Sequence, residues 1–222
     1  MSTVAEPLVE DAWQQIPASW RAYRRLLGDR GERSRPKYTY VDRRLTIVSP
    51  GTPHEVLKKR VGGLIEAMCI ALDIDFLAFG ESTYLKFKKG RAGTEPDESY
   101  YFTNIDEMTG CERVVIGRDP APDLVLEVVF SHPADDALEV YRRFGVREVW
   151  VCDRSKLVVH ILGDDGHYTS SQASVCFPFL TSVELALWIY NDERAGETKL
   201  RRKFLEWVET TIRPRIERNL GR

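Results

Sequence analysis

The stretch Leu124-Val125-Leu126-Glu127-Val128-Val129-Phe130 is a continuous run of aliphatic, β-branched and aromatic side chains interrupted by a single acid. A run of this length without polar alternation suits a central strand buried on both faces, in a sheet covered by helices. Glu127 is thereby an ionisable group placed where water is scarce, and such a group needs a partner or a task.

Working outward, short β-rich runs predict strands at Phe76–Phe79, Tyr84–Phe87, Ser99–Phe102, Glu148–Cys152 and Leu157–Leu162, with one helix at about 134–143. The pattern implies an α/β fold: a mixed sheet flanked by helices. Upstream, Thr52-Pro53-His54-Glu55 reads as a helix start, with Thr52 as N-cap, Pro53 in the first helical position and Glu55 closing a capping box. Val56, Leu57, Val61, Leu64, Ile65, Met68 and Leu72 then give that helix an apolar face to about residue 73. Before it, Tyr38, Tyr40, Leu45, Ile47 and Val48 flank Asp42-Arg43-Arg44, predicting an N-terminal hairpin whose turn has no glycine. Trp20, Tyr23, Leu26 and Leu27 predict a short helix over 18–28 after a loose leader, residues 1–17. The last segment, about 197–220, is a basic helix with a stripe of Leu200, Phe204, Val208 and Ile212, which Pro214 should end or kink. The expected organisation is a leader (1–17), one domain (18–190) and a C-terminal helical extension (191–222).

A chain of 222 residues with 43% hydrophobic and 10% aromatic content can bury one sizeable core. Its net charge of −2 and pI of about 6.1 exclude nucleic-acid binding by a global positive field, so any such contact must use a local patch. Cys69, Cys111, Cys152 and Cys176 are widely spaced, without CxxC or a nearby histidine at zinc-ligand spacing, which excludes a zinc finger or a disulfide scaffold. No secretory leader pattern and no apolar stretch approaching roughly 18 residues are present, so the expectation is a reduced, cytoplasmic protein.

Glu95-Pro96-Asp97-Glu98 stands immediately before the strand at Ser99–Phe102, so Asp97 projects from the beginning of a strand. Beside Glu127 it would form a hard-oxygen pair suited to Mg²⁺, which keeps several waters and takes one or two protein carboxylates when a phosphate supplies the rest. The same spacing is equally met by Asp97 as a turn residue and Glu127 as a buried acid with a local partner.

These motifs, followed by Pro122-Asp123-Leu124-Val125-Leu126-Glu127-Val128-Val129 and then Tyr141-Arg142-Arg143-Phe144-Gly145-Val146-Arg147-Glu148-Val149-Trp150, resemble the Uma2 family. The resemblance runs from about residue 20 through 190 and includes Tyr38–Pro50 and the His54-Glu55 helix. It implies a restriction-endonuclease-like core of the PD-(D/E)xK type, in which Asp97 and Glu127 hold a divalent metal, Mg²⁺ with Mn²⁺ as a substitute. By the same analogy Glu55 contributes a third acid, although a capping role explains it equally well. Asp123 has the right chemistry, but on one strand it lies about 13 Å from Glu127, too far to share one ion, so Asp97 is favoured.

One departure matters. Nucleases of this class carry a lysine two residues after the second acid, or on the following helix, where this chain has Val129 and Ala137. A lysine there orients the attacking water and offsets charge on the phosphoryl group, which neither side chain can do. Lys86, Lys88 and Arg142 are the candidate substitutes.

The expected activity is therefore that of a Mg²⁺-dependent endonuclease acting on DNA, with a nuclease-fold module that only binds DNA or assembles as the alternative. The basic C-terminal helix serves either reading, as a DNA-backbone contact or as a homodimer interface. His132-Pro133 with Asp135 and Asp136 reads as a helix start capped by Ser131, and Tyr141 and Trp150 read as core residues.

Overall fold

The computed structural model of the chain describes residues 11–31, 33, 35–80, 82–88, 90–190, 196–219 and 221. The described part begins with strand β1 (Ala12–Pro17), helix α1 (Trp20–Arg30), the hairpin β2 (Lys37–Val41) and β3 (Arg44–Ser49), and the long helix α2 (Thr52–Ala71). Four short strands follow, β4 (Leu77–Gly80), β5 (Tyr84–Lys86), β6 (Ala92–Thr94) and β7 (Glu98–Tyr101), then one turn of helix α3 (Ile105–Met108) and β8 (Val114–Val115). The second half carries β9 (Leu124–Val128), α4 (Asp135–Phe144), β10 (Glu148–Cys152), β11 (Leu157–Leu162) and β12 (Tyr168–Ser171). It closes with α5 (Ser182–Tyr190), α6 (Glu197–Trp207), a π-helical turn at Val208–Ile212 and α7 (Arg213–Asn219).

The predicted α/β architecture is present, but among the described residues it forms two six-stranded mixed sheets rather than one. The first has the order β1-β3-β2-β6-β5-β8 and the second β12-β11-β10-β9-β7-β4. The extra sheet grows from the predicted hairpin. Asp42 and Arg43 turn it with φ of 45° and 62°, the left-handed geometry that matches strand twist in a two-residue loop. The strands that widen it, β6 and β8, have three and two residues, too short to carry a period-2 signature. β1 falls within the stretch expected to be a loose leader, yet it pairs antiparallel with β3 from Ala12↔Ser49 to Pro17↔Arg44. It is an edge strand exposed along its length, with Trp13 and Ile16 half in solvent, so no alternation marks it.

β9 is buried at all five residues and lies between β7, antiparallel, and β10, parallel, with α4 as the crossover. Leu124, Leu126 and Val128 face a core shared with α2, α5 and α6, whereas Val125 faces a second core shared with the first sheet and α4. By strand alternation Glu127 faces the second side.

The C-terminal extension closes the first core. Phe204, Val208 and Ile212 are buried there and Leu200 is buried as well, so the stripe that could have served a homodimer is already covered within the chain. Gly63 of α2 makes the approach possible, since a Cβ at that position would lie 2.0 Å from the Arg201 guanidinium. Pro214 neither ends nor breaks the helix: the wide turn immediately before it relieves the ring's clash with the preceding carbonyls, and α7 continues through Asn219. Among the described residues no helix is long and apolar enough to cross a membrane.

Candidate active site

Asp97 and Glu127 meet where the two sheets approach each other beside the N-terminus of α2. The β7–β9 register runs Tyr100↔Leu124, Ser99↔Val125 and Glu98↔Leu126, and one more step sets Asp97 opposite Glu127. Asp97 is wholly buried, and its Oδ2 accepts from the Val128 backbone N–H at 2.8 Å. Its Oδ1 accepts from Lys37 Nζ at 2.6 Å and is 3.0 Å from His54 Nε2. Burial alone would raise the pKa of this carboxyl, but Lys37 and His54 together hold it well below the ordinary carboxylate range.

Glu127 is held differently. The Tyr141 hydroxyl of α4 donates to Oε1, while Oε2 stands 3.8 Å from Lys37 Nζ. Burial, reinforced by the neighbouring Asp97, outweighs the help from Lys37 and pushes Glu127 up to about 7. The two acids of the pair thus have opposite electrostatics: Asp97 is saturated with positive charge and Glu127 is short of it.

Lys37 is the cation that reading along the motifs missed. It lies sixty positions before Asp97, in the first strand of the hairpin. Tyr38 and Tyr40 pack towards α1, so alternation turns Lys37, Thr39 and Val41 to the inner face, where Val41 enters the core between the sheets. The three expected substitutes lie elsewhere. Lys86 donates to the Arg143 carbonyl, Arg142 is bound to Glu139 at 2.7 Å, and Lys88 is exposed. Two of them are already anchored and the third is in solvent.

Two further residues join the site from segments given other roles. His54, in the first turn of α2, bridges Asp97 and Asp11, whose Oδ2 is 3.2 Å from Nδ1. Burial disfavours a charged ring, but bonds to Asp11 and Asp97 override it and raise His54 to about 9, so both ring nitrogens donate at neutral pH. Asp11, directly before β1, also accepts from the Gly51 N–H at 2.8 Å, and Ser131 Oγ donates to the Asp11 carbonyl at 2.9 Å. Ser131 is thus a brace for Asp11 rather than a helix cap. Neither Asp11 nor His54 carries a local signature.

Glu55 does not reach the pair. Its carboxylate is bound to Arg35 at 2.8 Å and to Lys58 at 2.8 Å. It does not close a capping box either, because α2 starts one residue earlier than expected, with Gly51 as N-cap and no side-chain cap bond. Asp123 serves the turn after β7, accepting from the Phe102 and Thr103 N–H groups at 2.7 and 3.0 Å. Glu95, two residues before Asp97, is tied to Arg30, the Tyr38 N–H and Thr83.

Glu127 opens into a cleft of about 30 Å³ lined also by Lys37, His54, Val128, His132 and Ala137, while Asp97 is buried beside it and does not line it. Such a volume takes one ion or about two waters and no nucleobase. Burial lowers His132 to about 4, leaving a neutral ring whose Nδ1 has no hydrogen-bond partner. Among the described residues no three His, Cys, Asp or Glu side chains form a cation-binding cluster, so an ion here would have two protein carboxylates.

A crystal structure described as "a putative nuclease belonging to DUF820", from Anabaena variabilis ATCC 29413, has a similar fold. The TM-score is 0.51 at 14% sequence identity, covering 85% of this chain and 99% of that one. No functionally curated protein matches the chain. The sequence family Uma2, described as "Putative restriction endonuclease", matches residues 20–188. Over that span, which holds the hairpin, both acids and the crossover helix, the chain belongs to the Uma2 family.

Proposed function

We propose that this protein is a Mg²⁺-dependent endonuclease that hydrolyses phosphodiester bonds in DNA, with Mn²⁺ able to replace Mg²⁺. The observation that carries the reading is the facing pair Asp97 and Glu127 with an ammonium group between them, in a member of a nuclease family.

The donor set fits a hard divalent cation. A carboxylate has about four lone-pair sites, and the three bonds accepted by Asp97 leave one on Oδ2. Glu127, buried and short of positive charge, is the acid that a cation would relieve. Asp97 and Glu127 would hold the ion, which when bound supplies Lewis-acid polarisation of the phosphoryl group and a more acidic water. The chain's other groups set the geometry. The Val128 N–H and His54, itself held by Asp11, fix the Asp97 carboxylate, and Tyr141 fixes that of Glu127. The narrow cleft admits no base, so the reading implies contact with a backbone phosphate at its mouth.

With a net charge of −2, DNA must be gripped locally. Lys199, Arg202 and Lys203 are exposed on α6, and Arg24, Arg33 and Arg113 line a separate cleft of about 380 Å³. A homodimer through the C-terminal helix would have to use the same charged outer face, because the apolar stripe is buried. We place the activity in the cytoplasm, where the four unpaired cysteines stay reduced.

The test is plasmid cleavage in Mg²⁺ or Mn²⁺ beside the Asp97→Ala/Glu127→Ala double variant. Cutting that depends on the metal and disappears in the double variant is expected. Cutting that survives it rejects the site.

A further inference from the structure

We propose that Lys37 is the catalytic lysine of this site, supplied from a strand of the other sheet instead of from β9 or α4; the proposal rests on the phosphodiesterase reading above. The lysine's task in this chemistry needs one ammonium group paired with the acids and open to the cleft. Lys37 Nζ is 2.6 Å from Asp97 and 3.8 Å from Glu127, and its side chain lines the cleft with Glu127 and Ala137. The chain has Val129 and Ala137 where a lysine is otherwise expected, and Ala137 lines that same cleft. A lysine side chain starting from β2 or from position 137 of α4 therefore enters the same cleft. What the reaction requires is the position of the ammonium group, and the strand that delivers it is free to differ.

In the hydrolysis, water oxygen forms a bond to phosphorus as the ester P–O bond breaks, and the proton given up by the water is balanced by the one the departing alkoxide takes from solvent. Lys37 donates to the attacking water and to the non-bridging phosphoryl oxygen on which charge accumulates. It already donates to Asp97 and acts as an ammonium donor, so it takes no proton from the water.

A lysine that only neutralises Asp97 makes a different forecast from one that takes part in cleavage, and the two separate on metal binding. Lys37→Met removes a positive charge beside both carboxylates, so Mn²⁺ measured by calorimetry should bind at least about tenfold tighter. Cleavage of plasmid should nevertheless fall by about 10² to 10³, the effect of losing one preorganised donor. In the double variant Lys37→Met/Ala137→Lys, cleavage should recover by at least about tenfold, because the second lysine enters the same cleft. A Lys37→Met protein that cuts within about threefold of wild type, or that loses Mn²⁺ affinity along with cutting, overturns the assignment while leaving the nuclease reading intact. Should Lys37→Met fail to fold, Lys37→Arg keeps the charge but not the point-donor geometry. It must then bind Mn²⁺ as wild type does and cut at least about tenfold more slowly, and equal cutting rejects the role. A wild-type protein that cuts no DNA in either metal overturns the nuclease reading and this assignment with it.

Discussion

Glu127→Gln should make the protein more stable at neutral and alkaline pH, although it removes one of the two acids of the site. Glu127 is buried beside Asp97, and its pKa is pushed from 4.5 to about 7. Below pH 4.5 the carboxyl is protonated in both the folded and unfolded chains, so wild type and variant differ little. Between about 4.5 and 7 the unfolded chain ionises while the folded one retains the proton, and folding of the wild type weakens progressively. Above pH 7 the full difference applies, about 3 kcal/mol at 1.36 kcal/mol per pH unit of displacement. Glutamine presents the neutral shape permanently, and its carbonyl can still accept from Tyr141. The variant should therefore match wild type near pH 4.5 and exceed it by about 2–3 kcal/mol at pH 8, or about 5–10 °C in Tm for a chain of this size. Thermal and urea unfolding from pH 4.5 to 8.5 in EDTA measures this. Equal or lower stability of the variant at pH 8 would refute the claim that Glu127 lacks compensating charge.

Other consequences are more local. Asp11→Ala removes the acceptor for the Gly51 N–H and for His54 Nδ1, leaving a buried imidazolium half-partnered, and should cost about 2–3 kcal/mol in urea unfolding. Asp123→Ala frees the Phe102 and Thr103 N–H groups and should cost about 1–3 kcal/mol, yet leave metal-dependent cleavage within about threefold of wild type. The latter outcome separates Asp123 from Asp97. Gly93→Ala places a Cβ 2.2 Å from the Tyr23 hydroxyl, and because Tyr23 is fully buried and stacked on Tyr40 it cannot swing away. A loss of about 1–3 kcal/mol by thermal unfolding is expected.

Much of the second sheet was legible in the sequence because its elements are long enough to show their period. The strands at Glu148–Cys152 and Leu157–Leu162 end where the apolar pattern ends, and β9 is buried on both faces as its unbroken run implies. The first sheet was legible at its hairpin and at β5, which lies within the strand expected at Tyr84–Phe87. β6 and β8 are too short to have a pattern, and β1 exposes both faces at a sheet edge. The site divides in the same way. Asp97 and Glu127 stand in motifs next to strands, and the strand register brings them together. Lys37, His54 and Asp11 are brought in by packing between segments 43 to 60 positions apart, a distance over which local pattern carries no information. The one hint was alternation in the hairpin: with Tyr38 and Tyr40 on one face, Lys37 shares the other with Val41, and an inward-facing lysine asks for an acid. Glu55 shows the reverse. Its position beside His54 is suggestive in sequence, yet Arg35 and Lys58 draw its carboxylate away from the pair.

The most direct test of the account is to locate the metal. Crystals grown with Mn²⁺ and examined by anomalous diffraction should show one peak about 2.1 Å from both the Asp97 and Glu127 carboxylates, with Lys37 Nζ at the same cleft. A peak bound by other residues, in a protein that cuts DNA with Mn²⁺, would contradict it.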